Sequence, residues 1–348
     1  AFNGGTHMPF EDMALYRTIP DAIVVDVTDV SMIVSFLRQF QSVRGVKYLR
    51  VGRKESYPVY PADYDFQIGK GAVLRTGSDA VIVASGIMVH EALQAAEELE
   101  RAGVTGYVGK VNMDRNAAPG VLEETTEESI RETERWLAEC GRFSHVRPML
   151  TPRFTPSCTD ELMAALGRIA AEKGLYVQSH LSESTNEIAW VKELCPWSEF
   201  YGDAYDHFGL FGGECPTIMA HCVYSGEEEI ARMKERGVFI AHCPDSNTNL
   251  SSGVAPVRRY LEEGMNIGLG SDVAGGTSEN LFAAMAQSIQ ASKLRWRLLD
   301  ASLKPLTIEE AFYMATKGGG AFFGKVGSFE PGYEFDAVVC DDSRLEHP

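Results

Sequence analysis

Val177-Gln178-Ser179-His180-Leu181-Ser182-Glu183 decides how this chain is read. Its first residues have the apolar character of a buried strand, and it then delivers a histidine and, three residues on, a carboxylate. Working outward, two later runs close in the same way: Ile218-Met219-Ala220-His221 and Gly268-Leu269-Gly270-Ser271-Asp272. Helix-length segments separate the three, as parallel strands joined by crossover helices require. His, His and Asp at the C-terminal ends of successive parallel strands can hold one zinc ion and the water it activates. Such a site also needs a pair spaced His-x-His from an earlier strand. The chain has eight histidines, and none are two apart.

Further outward, strands are expected over 107–113, 146–150, 175–180, 216–221, 238–242 and 266–271. Helices are expected over 123–140, 160–173, 187–194, 226–236, 257–263, 279–298 and 307–316. Six parallel strands with helical crossovers read as a (β/α)8 barrel short of two strands. Before them, 22–27 and 46–51 read as strands around a helix over 30–40. A Pro- and Tyr-rich linker follows over 55–65, then a strand over 80–85 and a helix over 89–101. The tail, 327–339, reads as a turn and a strand. His242 also ends a strand and reads as structural or loop-organising.

Composition narrows the class. The net charge of -17 disfavours a nucleic-acid backbone or an anionic membrane surface as partner. No apolar run reaches the ~18 residues of a membrane span, and no secretory signal opens the sequence, so a cytoplasmic protein is expected. Seven cysteines, an odd number without Cys-x-x-Cys, read as reduced thiols. Ala1-Phe2-Asn3-Gly4-Gly5 begins without Met, and the chain stops just after the apolar run 336–340, so both termini read as cut.

Six runs in order resemble the amidohydrolase superfamily and, within it, the guanine deaminases, over about 107–348. They are Val108 to Asn116, Thr151-Pro152-Arg153-Phe154-Thr155-Pro156-Ser157-Cys158, Gln178 to Glu183, Ala220-His221-Cys222-Val223-Tyr224, His242-Cys243-Pro244-Asp245-Ser246-Asn247, and Gly268 to Gly276. The resemblance implies zinc-dependent hydrolysis of guanine, or a related purine, to xanthine and ammonia, and allows a homodimer. It implies His180 and Asp272 as zinc ligands, with Asp272 also taking the water's proton. It further implies His221 orienting the water, Glu183 carrying the proton, and Arg153 with Phe154 recognising the base. In that family strands five, six and eight end in His, His and Asp. Counting back from Asp272 makes 107–113 the third strand, so the strand that carries His-x-His is missing and little or no activity is expected.

The first segment resembles the C-terminal part of transketolases. Gly5 to Leu15, with Arg17 and Ile19-Pro20, looks like the end of the pyrimidine-binding domain. Tyr48 to Lys54 looks like its closing strand and basic turn, and Ala84 to Val89 through Gly103 like the opening of the C-terminal domain. His7 and Arg53 match positions that touch sugar phosphate. Thiamine diphosphate is not expected in this chain alone, because the cofactor residues would lie upstream of Ala1. The expected organisation is therefore 1–60, the end of one transketolase-like domain; 61–103, the start of the next; 104–325, barrel strands three to eight; and 326–348, a truncated β segment. The two parts meet near Leu99–Tyr107 as a chimera or a natural fusion. Two other readings stay open: a transketolase half-subunit that transfers two-carbon ketol units with a partner chain, and a non-catalytic, misassembled chain.

Overall fold

A computed structural model describes residues 12–17, 19–52, 57–70, 72–75, 105–117 and 124–338. The strand over 80–85, the helix over 89–101, His7 and Arg53 lie outside the described residues. The chain divides into two compact units: 1–106 with 141–147, and 107–140 with 148–348.

In the first unit, α1 (Asp12–Arg17) precedes β1 (Ile23–Asp26), α2 (Val30–Phe40) and β2 (Lys47–Arg50). β1 and β2 pair in parallel, Ile23 opposite Lys47, as a βαβ unit does. Asp29 caps α2: its Oδ1 accepts the Met32 N–H at 3.2 Å, and its Oδ2 accepts the amides of Val59 and Tyr60. That carboxylate ties down Val59 and Tyr60, inside the stretch 55–65 expected to be a linker. Tyr60, Tyr64 and Phe66 instead pack on Val25, Val27 and Phe36. Large aromatic side chains bury too much area to remain in a solvated tether.

The second unit is built on one curled sheet. Its strands are β3 (Gly106–Val108), β4 (Val111–Asn112), β5 (Val146–Pro152), β6 (Tyr176–Leu181), β7 (Thr217–His221), β8 (Phe239–His242) and β9 (Ile267–Leu269). The order β3-β5-β6-β7-β8-β9 follows the chain, with β4 also on β5. The pairs β4–β5 through β8–β9 are all parallel. The strand expected over 107–113 is therefore two pieces, broken at Gly109 and Lys110. A Cβ on Gly109 would overlap the Thr151 hydroxyl, so the backbones touch where the strand breaks.

Helices α3 (Thr126–Cys140), α4 (Asp160–Lys173), α5 (Thr185–Leu194), α6 (Asp203–Asp206) and α7 (Glu227–Arg236) come next. They are followed by α8 (Pro244–Asn249), α9 (Val257–Glu262), α10 (Leu281–Leu298) and α11 (Ile308–Tyr313). Val177, Leu181, Met219 and Ile240 alternate onto one sheet face. They join Leu162, Leu166, Ile230, Met233 and Tyr260 in a single core. On the other face, Phe322 packs against Tyr176 and Phe239 near the N-terminal ends of their strands. The C-terminal ends stay open. α11 runs into a π-helical turn (Met314–Gly318) that lies against β9, where Gly268 meets the Gly319 backbone. The described part of the expected tail strand, 334–338, is coil, and Phe335 and Val338 are exposed. No described helix is long and apolar enough to cross a membrane.

Candidate active site

The C-terminal edge of the sheet carries its backbone strain. Ser182, His221, Cys222, Asp272 and Ala274 all hold positive φ without being glycine. Each follows or ends β6, β7 or β9, and such outliers persist only where the surroundings enforce them. Strand alternation would send His221 to the buried face beside Leu181, its register partner. With φ at 75°, its ring instead stacks on His180 from the next strand, centroids 5.3 Å apart and planes 17° apart.

Each imidazole is held through Nδ1. His180 Nδ1–H donates to the Arg153 carbonyl at 2.5 Å, and His221 Nδ1–H donates to Asn247 Oδ1 at 2.8 Å. That leaves the Nε2 atom of each ring outside these contacts. Burial, with His221 alongside, holds His180 below the ordinary imidazole range, so it is neutral. The Glu183 carboxylate approaches His221 Nε2 at 3.6 Å, while its other oxygen accepts the Ser252 hydroxyl at 2.6 Å.

Glu183 is positioned from below by two buried carboxyls. Glu187 accepts the Tyr201 hydroxyl at 2.6 Å and the Glu183 amide at 3.2 Å; burial pushes its pKa up. Glu229 accepts the Ser182 hydroxyl and the Gly202 amide, each at 2.7 Å, and burial raises it too. Tyr205 clamps the next turn: its hydroxyl donates to the His180 carbonyl at 2.9 Å and accepts the Thr155 N–H at 3.1 Å.

Arg153 follows β5 directly. Its guanidinium lies 5.5 Å from the Phe154 ring centroid and contacts Met113 sulfur at 3.7 Å, with no carboxylate partner among the described residues. Arg153, Phe154, His180, Glu183, Asn186 and Trp190 line a cavity of about 330 Å³, at the small end of ligand sites. A cavity of about 310 Å³ beside Lys110 and Trp136 is less suited to a ligand, because Lys110 pairs with Glu124 and Arg135 with Glu132.

Asp272 is the other expected ligand. It sits three residues beyond β9 with φ at 43°, its carboxylate against Gly275, and makes no ion pair with either histidine among the described residues. No group of three His, Cys, Asp or Glu side chains among the described residues could hold a metal ion. His180 presents a suitable free nitrogen, but the donor set around it is not closed. Burial pushes the His242 pKa down to about 3, and its Nδ1 has no partner among the described residues.

The sequence profile of the amidohydrolase family matches residues 37–348. The chain belongs to the amidohydrolase family. The match begins inside the stretch 1–103 that was expected to be a transketolase-like piece, and no comparison shows such a piece. This amidohydrolase is 41% identical over 280 residues to guanine deaminase of Mus musculus, covering 79% of this chain and 61% of that protein. It is 42% identical over 276 residues to guanine deaminase of Dictyostelium discoideum, covering 77% of this chain and 60% of that protein. Among solved structures it is similar to guanine deaminase from C. acetobutylicum with bound guanine in the active site. There the TM-score is 0.68 at 49% identity, over 73% of this chain and 60% of that one. The chain thus spans about three-fifths of the length of these relatives.

Sequence reasoning passes over Ser252, Asn247, Glu187, Tyr205 and Trp190, and reads Glu227-Glu228-Glu229 as a solvated first turn, whereas Glu229 is buried. Asn247 stood inside a quoted run. Glu187 and Trp190 lie one and two turns beyond Glu183 on α5, while Ser252, Glu229 and Tyr205 approach from segments distant in the chain.

Proposed function

We propose that this chain carries the base-recognition and proton-transfer part of a guanine deaminase site. The observation that carries the reading is the Arg153 guanidinium, without a carboxylate partner among the described residues, in one cavity with Phe154, His180 and Glu183. A planar guanidinium can hydrogen-bond a ring carbonyl while the neighbouring aromatic stacks on the base. In the reaction, guanine plus water gives xanthine plus ammonia. Water adds at the ring carbon bearing the exocyclic amine, and the carbon–nitrogen bond to that amine breaks. Glu183, held by Ser252 and its raised neighbours, carries the water's proton to the ring nitrogen and then to the departing ammonia. His221, fixed by Asn247, orients the water.

Zinc held by His180 and Asp272, with further donors, would supply a water acidified to near neutral pKa. Those two do not complete a catalytic set, so no step is assigned to the metal. The 348-residue chain is accordingly expected to have little or no turnover. The test is xanthine formation by the purified chain with and without added zinc. Sustained zinc-dependent production would overturn the inactivity. Failure to bind guanine would overturn the recognition.

Residues 1–103 are proposed as a separate transketolase-type piece, with the domain limits read from the sequence. The parallel β1–α2–β2 unit makes this stretch α/β and is common to many such folds. No part of the deaminase chemistry is assigned to His7 or Arg53. The six cysteines among the described residues are free and buried, which suits a reducing cytoplasm.

A further inference from the structure

α5 begins two residues after Glu183, with Ser184 as its cap accepting the Glu187 amide at 3.2 Å. Its first two turns therefore border the same cavity. The buried positions of the helix are Glu187 and Val191, which face Tyr201 and the core. Asn186 and Trp190, one turn apart, line the cavity. Trp190 is 37% exposed, and its indole N–H has no partner among the described residues. A tryptophan kept for core packing would be covered and its N–H satisfied.

The Trp190 ring stands 6.0 Å from Phe154 at 77°, so the two rings form the walls of a corner. A flat ligand lying on one wall presents its edge to the other. The Arg153 guanidinium and the Glu183 carboxylate border the same cavity. We propose that Trp190 is a specificity-determining residue whose ring, with Phe154, selects planar fused-ring heteroaromatic amines over one-ring bases. This rests on the base-binding reading above and goes beyond it by adding a wall from α5. A fused bicycle offers both rings face and edge, whereas a single ring engages one wall at a time.

Binding of radiolabelled guanine and cytosine by equilibrium dialysis tests the proposal on the full chain, alongside its tryptophan emission. Guanine is expected to bind and to quench emission. Trp190→Phe should retain most binding but lose the quenching, because the other three tryptophans lie elsewhere. Trp190→Ala should bind guanine roughly tenfold more weakly, the loss of about one base stack, with little change for cytosine. Circular dichroism checks that both variants fold. Unchanged guanine affinity in Trp190→Ala, or quenching that survives in Trp190→Phe, overturns the role of Trp190. If Arg153→Ala abolishes binding in the same series, the functional reading stands without it. If guanine fails but a pterin or a purine analogue binds and quenches through Trp190, the corner stands and the guanine reading falls. If none of these binds, both fall.

Discussion

Replacing Glu229 with glutamine should change how stability depends on pH. Glu229 is buried, and its carboxylate holds the Ser182 hydroxyl and the Gly202 amide, which fixes the left-handed turn just before Glu183. Burial raises its pKa above the ordinary 4.5, so in the pH range above that value the folded chain retains a proton that the unfolded chain has released. Its contribution is full below the unfolded pKa and is lost as pH rises through the folded one. One such proton gives a slope of at most about 1.4 kcal/mol per pH unit within that window. Glutamine keeps an acceptor for the Gly202 amide and can donate to Ser182, so Glu229→Gln should cost only about 1 kcal/mol at pH ~4. It should close on, or overtake, the native chain as pH rises. Glu229→Ala leaves two groups unpaired and should cost roughly 2–6 kcal/mol at pH ~4, a difference that narrows as pH rises. Urea unfolding followed by circular dichroism across pH reads both effects. Glu187, raised in the same direction, keeps some slope in the variant. Parallel pH profiles for the native chain and Glu229→Gln would refute the argument.

Tyr205→Phe removes the acceptor of the buried Thr155 N–H and should destabilise the second unit by about 2 kcal/mol in urea titration. Gly167→Ala on α4 would set a methyl 1.8 Å from the Phe208 carbonyl, so helix and loop must separate; a loss of about 1–3 kcal/mol is expected in the same assay. A metal chelator should leave the melting temperature of the chain unchanged, because no three-donor group among the described residues depends on metal.

Much of the second unit was legible in the sequence because its strands are apolar runs between helices with clear caps. α4, for instance, starts after the Thr159 cap and ends at the left-handed Gly174, as its sequence suggests. Less legible was whatever depends on contacts between distant segments. Gly109 breaks a strand because Thr151 lies against it, and Tyr60, Tyr64 and Phe66 fold back on α2 rather than forming a tether. In the site, Arg153, Phe154, His180, Glu183 and His221 were found from runs at strand ends, and the structure gathers them. Asp272 comes from the same kind of run and makes no ion pair with the histidines among the described residues. The supports, Glu229, Tyr205 and Ser252, are single polar residues whose role arises only from packing.

The most direct test of the account is guanine binding by the 348-residue chain and by Arg153→Ala, measured by dialysis with xanthine assayed in the same samples. Retention of guanine by the native chain is predicted, weakened about 10- to 100-fold in the variant by loss of a charged hydrogen bond, with little or no xanthine formed. Equal retention by both chains, or none by either, would contradict it.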